Sequence, residues 1–410
     1  MDITQGNTFW NEDIGIIKSY PYLSKNISCD TLVIGGGITG ALTAFMQAKQ
    51  GAKVVVVDKN LIGFNNTINY NGIMETRLDF NDKTNKHVEE NVILKCNAIF
   101  SNALEDVKKI IDEIMKDEDC RKYIKALNFK QTDFLYYADK LSSKIAMYKK
   151  FEKLGKINGD IEYLEEDPII NLRTGIVFPK AGGVVNPYVL TELIFMYISK
   201  MDNVKIYENT NVISITGSDE KVESITNNRF KIYSKCVILT DAVLGAKYLK
   251  QDTINAAKIF SIVTEGVKFD AENLTDIIGK NILYDSYICF TKENSNVIFT
   301  GDEVKQSDKI FLDDKPQEYI NGKYKKLYMK LNRAINIPQD IRIINCFNCN
   351  YVETKDDLPI IDEAHNIVNV YFNIPSGNNK IIHSMIGANM LKDVSNKYHV
   401  KDMYLFRENR

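Results

Sequence analysis

The sequence predicts a mixed α/β (α+β) protein in which a Rossmann-like parallel-sheet domain is interleaved with a second domain built on antiparallel strands. Three observations carry this. Residues 31–58, TLVIGGGITGALTAFMQAKQGAKVVVVD, read as strand, helix and strand within one short window. Later, Ile259–Val267, Ser286–Phe290 and Val297–Thr300 read as strands of an antiparallel sheet. Between them helix-like and strand-like segments alternate with no repeat, low-complexity tract or flexible linker. At 410 residues the chain has room for two domains, or for one large domain carrying a second layer.

The first crossover is justified residue by residue. Thr31 to Ile34 is a short apolar run, as a buried strand has. Gly35, Gly37 and Gly40 follow as G-x-G-x-x-G. Ile38, Leu42, Phe45 and Ala48 then recur at helical spacing, and Gly51 stops the helix. Lys53 to Val57 is a second strand ending on Asp58. In such a unit the first glycine allows the tight turn, the second lets a pyrophosphate approach the backbone, and the third lets helix and strand pack closely. The helix N-terminus offers free N–H groups to phosphates. Asp58, 18 residues after Gly40, stands where a carboxylate accepts from ribose hydroxyls. A bound dinucleotide is the expectation; a bare glycine turn would leave Asp58 unexplained.

Composition narrows the class. Apolar residues make up 44% of the chain and net charge is −2, with no long basic stretch to suggest nucleic acid or an anionic membrane. The opening MDITQGNTFWNEDIG is polar and unlike a secretory signal, and no apolar run reaches membrane-span length. Seven scattered cysteines suit a reduced, cytoplasmic protein. Cys346 and Cys349 form a lone C-x-x-C in a strand-like stretch and are expected to be buried thiols. The four histidines, His87, His365, His383 and His399, show no metal spacing.

After Asp58, LIGFNNTINYNG is a turn-rich loop whose Asn65, Asn66 and Thr67 can reach phosphate or ribose oxygens. His87 to Met115 has helical periodicity, Phe134–Asp139 reads as a strand and Leu141–Leu154 as a helix. Asp167 and Pro168 break the chain, and Ile176–Phe178 is a short strand. Pro187 opens an amphipathic helix over Tyr188–Lys200. Asn203–Tyr207 and Cys236–Leu239 read as sheet strands, Gln317–Leu331 as a charged helix, and the last helix begins near Lys380.

Three further stretches, in this order, are AGGVVNPYVLTELI (181–194), NTNVISI (209–215) and NYVETKDDLPII (350–361). With the glycine unit they resemble the FAD-dependent oxidoreductases of the D-amino-acid-oxidase and glycine-oxidase superfamily, over about residues 30–395. The resemblance implies FAD, and a small amine or amino acid whose hydride passes from the carbon beside nitrogen to the flavin. It implies that Gly35, Gly37 and Gly40 hold pyrophosphate, Asp58 the ribose, Thr67 the phosphates and the Val212 backbone the adenine. Ile38, Thr39, Lys59, Asn66, Thr240, Gly377 and Asn379 complete the implied cofactor set. It also implies a discontinuous FAD domain over 1–90, 168–250 and 341–410, with a substrate domain over 91–167 and 251–340.

The departures are specific. The family's Gly-Ser-Thr reads Asn65, Asn66, Thr67, and its A-T-G reads Leu239, Thr240, Asp241. Asp357 and Asp362 stand for glycines, and Tyr351 stands near the family's substrate-carboxylate arginine. A side chain in place of glycine fills space where backbone meets cofactor. Tyr287, Tyr351 and His383 are the candidates for contact with substrate or flavin, with Tyr284 and Arg173 behind them; no catalytic role is assigned. The expected activity is FAD-dependent oxidation of a C–N bond. The alternatives are an FAD-binding protein of the same fold with little or no turnover, or an NAD(P)-linked reductase.

Overall fold

The computed structural model describes residues 9–64, 66–158, 160–167, 169–250, 253–267, 276–290, 295–305, 316–336, 341–396 and 400–410. Asn65, Pro168 and His399 lie outside the described residues.

The first sheet runs Ile360–Glu363, Val370–Ile374, Lys231–Leu239, Ile27–Ile34, Val54–Val57, Val204–Tyr207 across its width. Val222–Thr226 pairs with Lys231–Leu239, and Val212–Gly217 pairs with Val222–Thr226. Of the five neighbouring pairs along this line four are parallel, and only the edge strand Ile360–Glu363 is antiparallel to its neighbour; Val33 stands in register with both Val56 and Ile238. These strands are apolar on both sides because both faces are covered. Val33, Val54, Val56 and Ile238 pack in one cluster with the helices Ile38–Lys49, Pro187–Ile198 and Lys380–Leu391. Leu32, Val55, Val57 and Val237 face another cluster that includes Val212, Val222 and Phe372.

The second sheet runs Ile343–Glu353, Asn255–Thr264, Val297–Lys305, Ser286–Phe290, Ile277–Asn281, Lys130–Ala138, Thr174–Val184, Ile73–Glu75. It is antiparallel except where Ile277–Asn281 lies parallel to Lys130–Ala138. The helix Gln317–Ala334 covers its outer face, setting Tyr324, Leu327 and Leu331 against Phe260 and Phe299.

The expected elements form, with longer strands where tertiary pairing extends them. The helix expected over Tyr188–Lys200 spans Pro187–Ile198; Asn186 caps it by accepting from Val189 N at 3.1 Å, and Pro187 fills the first turn. Three strands inside the ranges 1–90, 168–250 and 341–410 join the antiparallel sheet: Ile73–Glu75, Thr174–Val184 and Ile343–Glu353. The helix Glu90–Ile114, all but its first residue inside 91–167, instead packs on the closing helix Lys380–Leu391, with Phe100 edge-on to His383 at 5.2 Å between ring centres. Pairing partners far apart in sequence decide this membership. Among the described residues no helix is long and apolar enough to cross a membrane.

Candidate functional site

At the end of the first strand, Gly35 has φ +123°, and a Cβ there would lie 2.5 Å from Thr240 Oγ1. Thr240 Oγ1 donates to Ile34 O at 2.9 Å, tying the two parallel strand ends together. A Cβ on Gly40 would sit 1.8 Å from Gly35 O, so the helix lies directly on the turn. Gly37 is the N-cap of that helix and offers no side-chain cap. A Cβ on it would come within 2.8 Å of Thr67 Oγ1, which accepts from Ile38 N at 3.1 Å. Gly37, Ile38 and Thr67 thus meet at the helix N-terminus, while Thr39 Oγ1 pairs with Ser384 Oγ at 2.8 Å on the closing helix.

Beside this turn is a crevice of about 290 Å³, lined among others by Gly35, Asp58, Lys59, Val212, Asp241 and Lys247. Asp58 accepts from Gly36 N at 2.6 Å and from Asn60 N at 2.7 Å, one bond to each oxygen. A carboxylate has about four lone-pair sites, so two remain for ligand hydroxyls. Burial pushes its carboxyl up to about 6 against the pull of those two N–H groups. Asp241, where the resemblance has glycine, is not idle: Lys59 Nζ reaches it at 3.2 Å and Leu244 N donates to it at 3.1 Å.

The opposite direction from Thr67 leads inward, between the sheets. Tyr70 OH donates to Asn378 O at 2.8 Å. Cys349, on the second sheet, lies 3.3 Å from the Asn66 carbonyl, and Asn66 itself is exposed. Lys380 Nζ reaches Cys349 Sγ at 2.7 Å and Asn350 O at 3.2 Å, with the Tyr70 ring centre 5.5 Å away. Asn379 clamps the Glu75 backbone, accepting from its N at 3.2 Å and donating to its O at 2.6 Å. Gly377 has φ +62°, and a Cβ on it would come 2.4 Å from the Asp357 carboxylate. Asp357 itself keeps a glycine-like φ of +62° and accepts from Asn81 Nδ2 at 2.9 Å and Ser376 Oγ at 3.1 Å.

Of the charged centre of this interior, sequence reasoning named Tyr287 and missed Glu75, Tyr136 and Lys280. The Glu75 carboxylate accepts from Tyr136 OH at 2.5 Å and Tyr287 OH at 3.2 Å. Burial pushes Glu75 upward, and the nearby Lys280 pulls it back. Lys280 is itself buried, pairing with Asp285 at 2.7 Å. Two strands carry the signal, Tyr136 in FLYYAD and Tyr287 in SYICF, but nothing in the sequence joins them to Glu75. Tyr351 lies elsewhere on the sheet, bonded to Glu303, whose carboxyl burial and the Glu353 charge push up to about 7. Glu353 is buried too, but its bond to Lys83 more than offsets this and holds it low. His383 is a core residue: burial drives it down to about 3, and its Nδ1 accepts from Ser376 N at 3.2 Å. Tyr284 and Arg173 are exposed. Cys346 and Cys349, three residues apart on one strand, point to opposite faces and pack in different clusters. Both are free thiols, Cys346 half-buried, and the described residues hold no metal-binding group.

These observations divide FAD into two halves. The glycine turn, the helix N-terminus and the Asp58 crevice fit an adenosine diphosphate. The path beyond Thr67 does not fit a flavin ring as it stands, because Tyr70, Cys349 and Lys380 meet one another across it.

A family model described as FAD dependent oxidoreductase matches residues 30–394. A Bacillus subtilis (strain 168) protein described as a Rieske 2Fe-2S iron-sulfur protein is 25% identical over 233 residues, 56% of this chain. The match spans 43% of that relative, less than half its length. Among solved structures, glycine oxidase from Geobacillus kaustophilus superposes with TM-score 0.73 at 14% identity, over 93% of this chain and 99% of that one. L-proline dehydrogenase from P. horikoshii superposes with TM-score 0.70 at 18% identity, over 95% and 98%. The L-amino acid deaminase from Proteus myxofaciens does so with TM-score 0.71 at 12% identity, over 96% and 95%. At such identities the likeness shows the fold. The family model spans nearly the whole chain, both sheets included, and this protein belongs to the FAD-dependent oxidoreductase family of D-amino-acid-oxidase type.

Proposed function

We propose that this chain is an adenine-dinucleotide-binding member of its family, holding the adenosine diphosphate portion of FAD in the crevice beside Gly35. The single observation that carries this is the Asp58 carboxylate. It is placed at the end of the second strand in a crevice of about 290 Å³, with two acceptor sites left after Gly36 and Asn60. In this reading the helix N-terminus at Gly37, beside the Thr67 hydroxyl, takes the diphosphate, and Lys59 and Lys247 add positive charge at the rim of the crevice. With Tyr70, Cys349 and Lys380 packed as they are, turnover at a C–N bond is slow or absent.

A second reading, oxidation of a small amine or amino acid by the bound flavin, is favoured by the polar centre at Glu75. An amine needs a nearby anion, and Glu75 with Tyr136 and Tyr287 supplies acceptors for one. In that reading Lys380 and Tyr70 move aside before any ring enters.

The test is to purify the chain, record its visible spectrum, and identify the nucleotide released on denaturation. FAD or another adenine nucleotide at near-equal molar ratio, unaltered by amines without oxygen, supports the first reading. Flavin bands that an amine or amino acid bleaches anaerobically support the second. No nucleotide, and no ADP-ribose binding at millimolar concentration, overturns both.

A further inference from the structure

We propose that Lys59 is a shared cation of the crevice: Asp241 holds it in the absence of nucleotide, and the diphosphate of an entering nucleotide takes it over, so that Asp241 is a competitor for that phosphate. This rests on the nucleotide reading above and names the pair by which the crevice discriminates a nucleotide from a nucleoside.

Three parallel strands end level with one another. Ile34 stands in register with Val57 on one side and with Leu239 on the other. Gly35 follows the middle strand, Asp58 and Lys59 follow one neighbour, and Thr240 and Asp241 follow the other. The two outer strands are about 10 Å apart, two strand spacings. Lys59 reaches across that span, past the glycine turn, and its Nζ lies 3.2 Å from Asp241 Oδ2. The backbone is close-set here as well: a Cβ on Gly35 would lie 3.2 Å from Asp241 N, and one on Gly36 would lie 3.0 Å from Asp58 Cβ. Both partners line the crevice together with Gly35 and Asp58. A nucleotide with its ribose at Asp58 and its diphosphate at the helix start brings its phosphates into the span of this pair.

The exchange costs little. The side chains of Lys59 and Asp241 are 45% and 25% exposed, and an ion pair in such contact with water is weak. When Lys59 leaves, Asp241 Oδ1 keeps its bond from Leu244 N at 3.1 Å, and Oδ2 turns to water. A diphosphate carries two negative charges against one on the carboxylate, so the same ammonium is drawn to it more strongly. What remains is a carboxylate beside the phosphates. Its field already reaches Asp58, whose carboxyl is pushed up mainly by burial and further by the Asp241 charge. A glycine in place of Asp241 would leave the phosphates unopposed; with Asp241 present, only a ligand bearing enough phosphate charge wins Lys59.

The test is isothermal calorimetry of the full chain with ADP-ribose, and ligand-observed NMR with adenosine, which has the base and the ribose but no phosphate. Asp241→Asn keeps an acceptor for Leu244 N and removes the charge. It is expected to bind ADP-ribose about fivefold more tightly than the wild type. Lys59→Met, at a half-exposed side chain, is expected to bind it about fivefold more weakly. Adenosine binding is expected to be the same in all three proteins. The exchange is overturned, and the nucleotide reading left standing, if the wild type binds ADP-ribose and either variant stays within about twofold of it. It is equally overturned if adenosine shifts along with ADP-ribose, because the pair would then act on the shape of the crevice and not on phosphate. No ADP-ribose binding by any of the three proteins overturns both.

Discussion

Replacing Asp58 by Asn tests the nucleotide reading most directly. In the wild type each carboxylate oxygen accepts one backbone N–H, at 2.6 Å from Gly36 and 2.7 Å from Asn60, and each keeps a lone pair for a ribose hydroxyl. Asn retains one acceptor oxygen and turns the other into a donor. One hydrogen bond to a charged group is lost, worth about 2 kcal/mol. That is roughly a 30-fold weaker dissociation constant. ADP-ribose is the probe, because its diphosphate does not titrate near neutrality, and isothermal calorimetry is the assay. A second arm comes from the carboxyl itself. Burial holds it at about 6, so wild-type affinity is expected to fall about tenfold between about pH 7.5 and about pH 5 as the acceptor is protonated, whereas the Asn variant stays flat. The stability arm has the opposite sense: a carboxyl raised above its unfolded value contributes stability at acid pH that is lost as pH rises through about 6. Affinity of the variant within about threefold of wild type at about pH 7.5, with no pH dependence in either protein, would refute the reasoning.

Three further outcomes are expected. Gly40→Ala brings a Cβ to 1.8 Å from Gly35 O and is expected to cost 3 kcal/mol or more, about the scale of severe overpacking, read as the urea midpoint. Asp302 is partly buried, but bonds from Lys326, Lys323 and Lys330 more than offset this and hold it down at about 2. Its contribution is present above the unfolded pKa near 3.8 and lost as pH falls toward about 2. Asp302→Asn, which tolerates the local φ of +57°, is expected to cost about 1–2 kcal/mol near neutrality after allowing for solvent screening, with the gap closing as denaturation is measured at lower pH. Arg410 grips Asp356 with two bonds, at 2.6 and 2.7 Å, and donates to Leu358 O at 2.8 Å. Arg410→Ala leaves that carboxylate buried and unpaired, and a loss of about 3 kcal/mol is expected by chemical denaturation; an unchanged midpoint would show the grip to be idle.

Much of the first crossover was legible in the sequence. The glycine turn, its helix and the acid at its end all follow from sterics within residues 31–58, and the structure puts Gly35, Asp58, Lys59 and Val212 around one crevice. The departures at Asp241 and Asp357 were also visible, but their consequences were not. Asp241 is held by Lys59 and by its own short turn. Asp357 keeps the left-handed backbone of the glycine it stands for and buries its carboxylate against Gly377. A sequence shows that a side chain has been added; it does not show which partner absorbs it.

The sequence by itself determined the β-α-β unit and the capped helix at Pro187, because each depends on residues near one another in the chain. Only the tertiary structure decided that Ile73–Glu75, Thr174–Val184 and Ile343–Glu353 join the antiparallel sheet. It alone brought Glu75 to Tyr136 and Tyr287, and Lys380 to Cys349. Those contacts join residues tens to hundreds of positions apart, and no local pattern of polarity or shape encodes which distant strand will lie beside which.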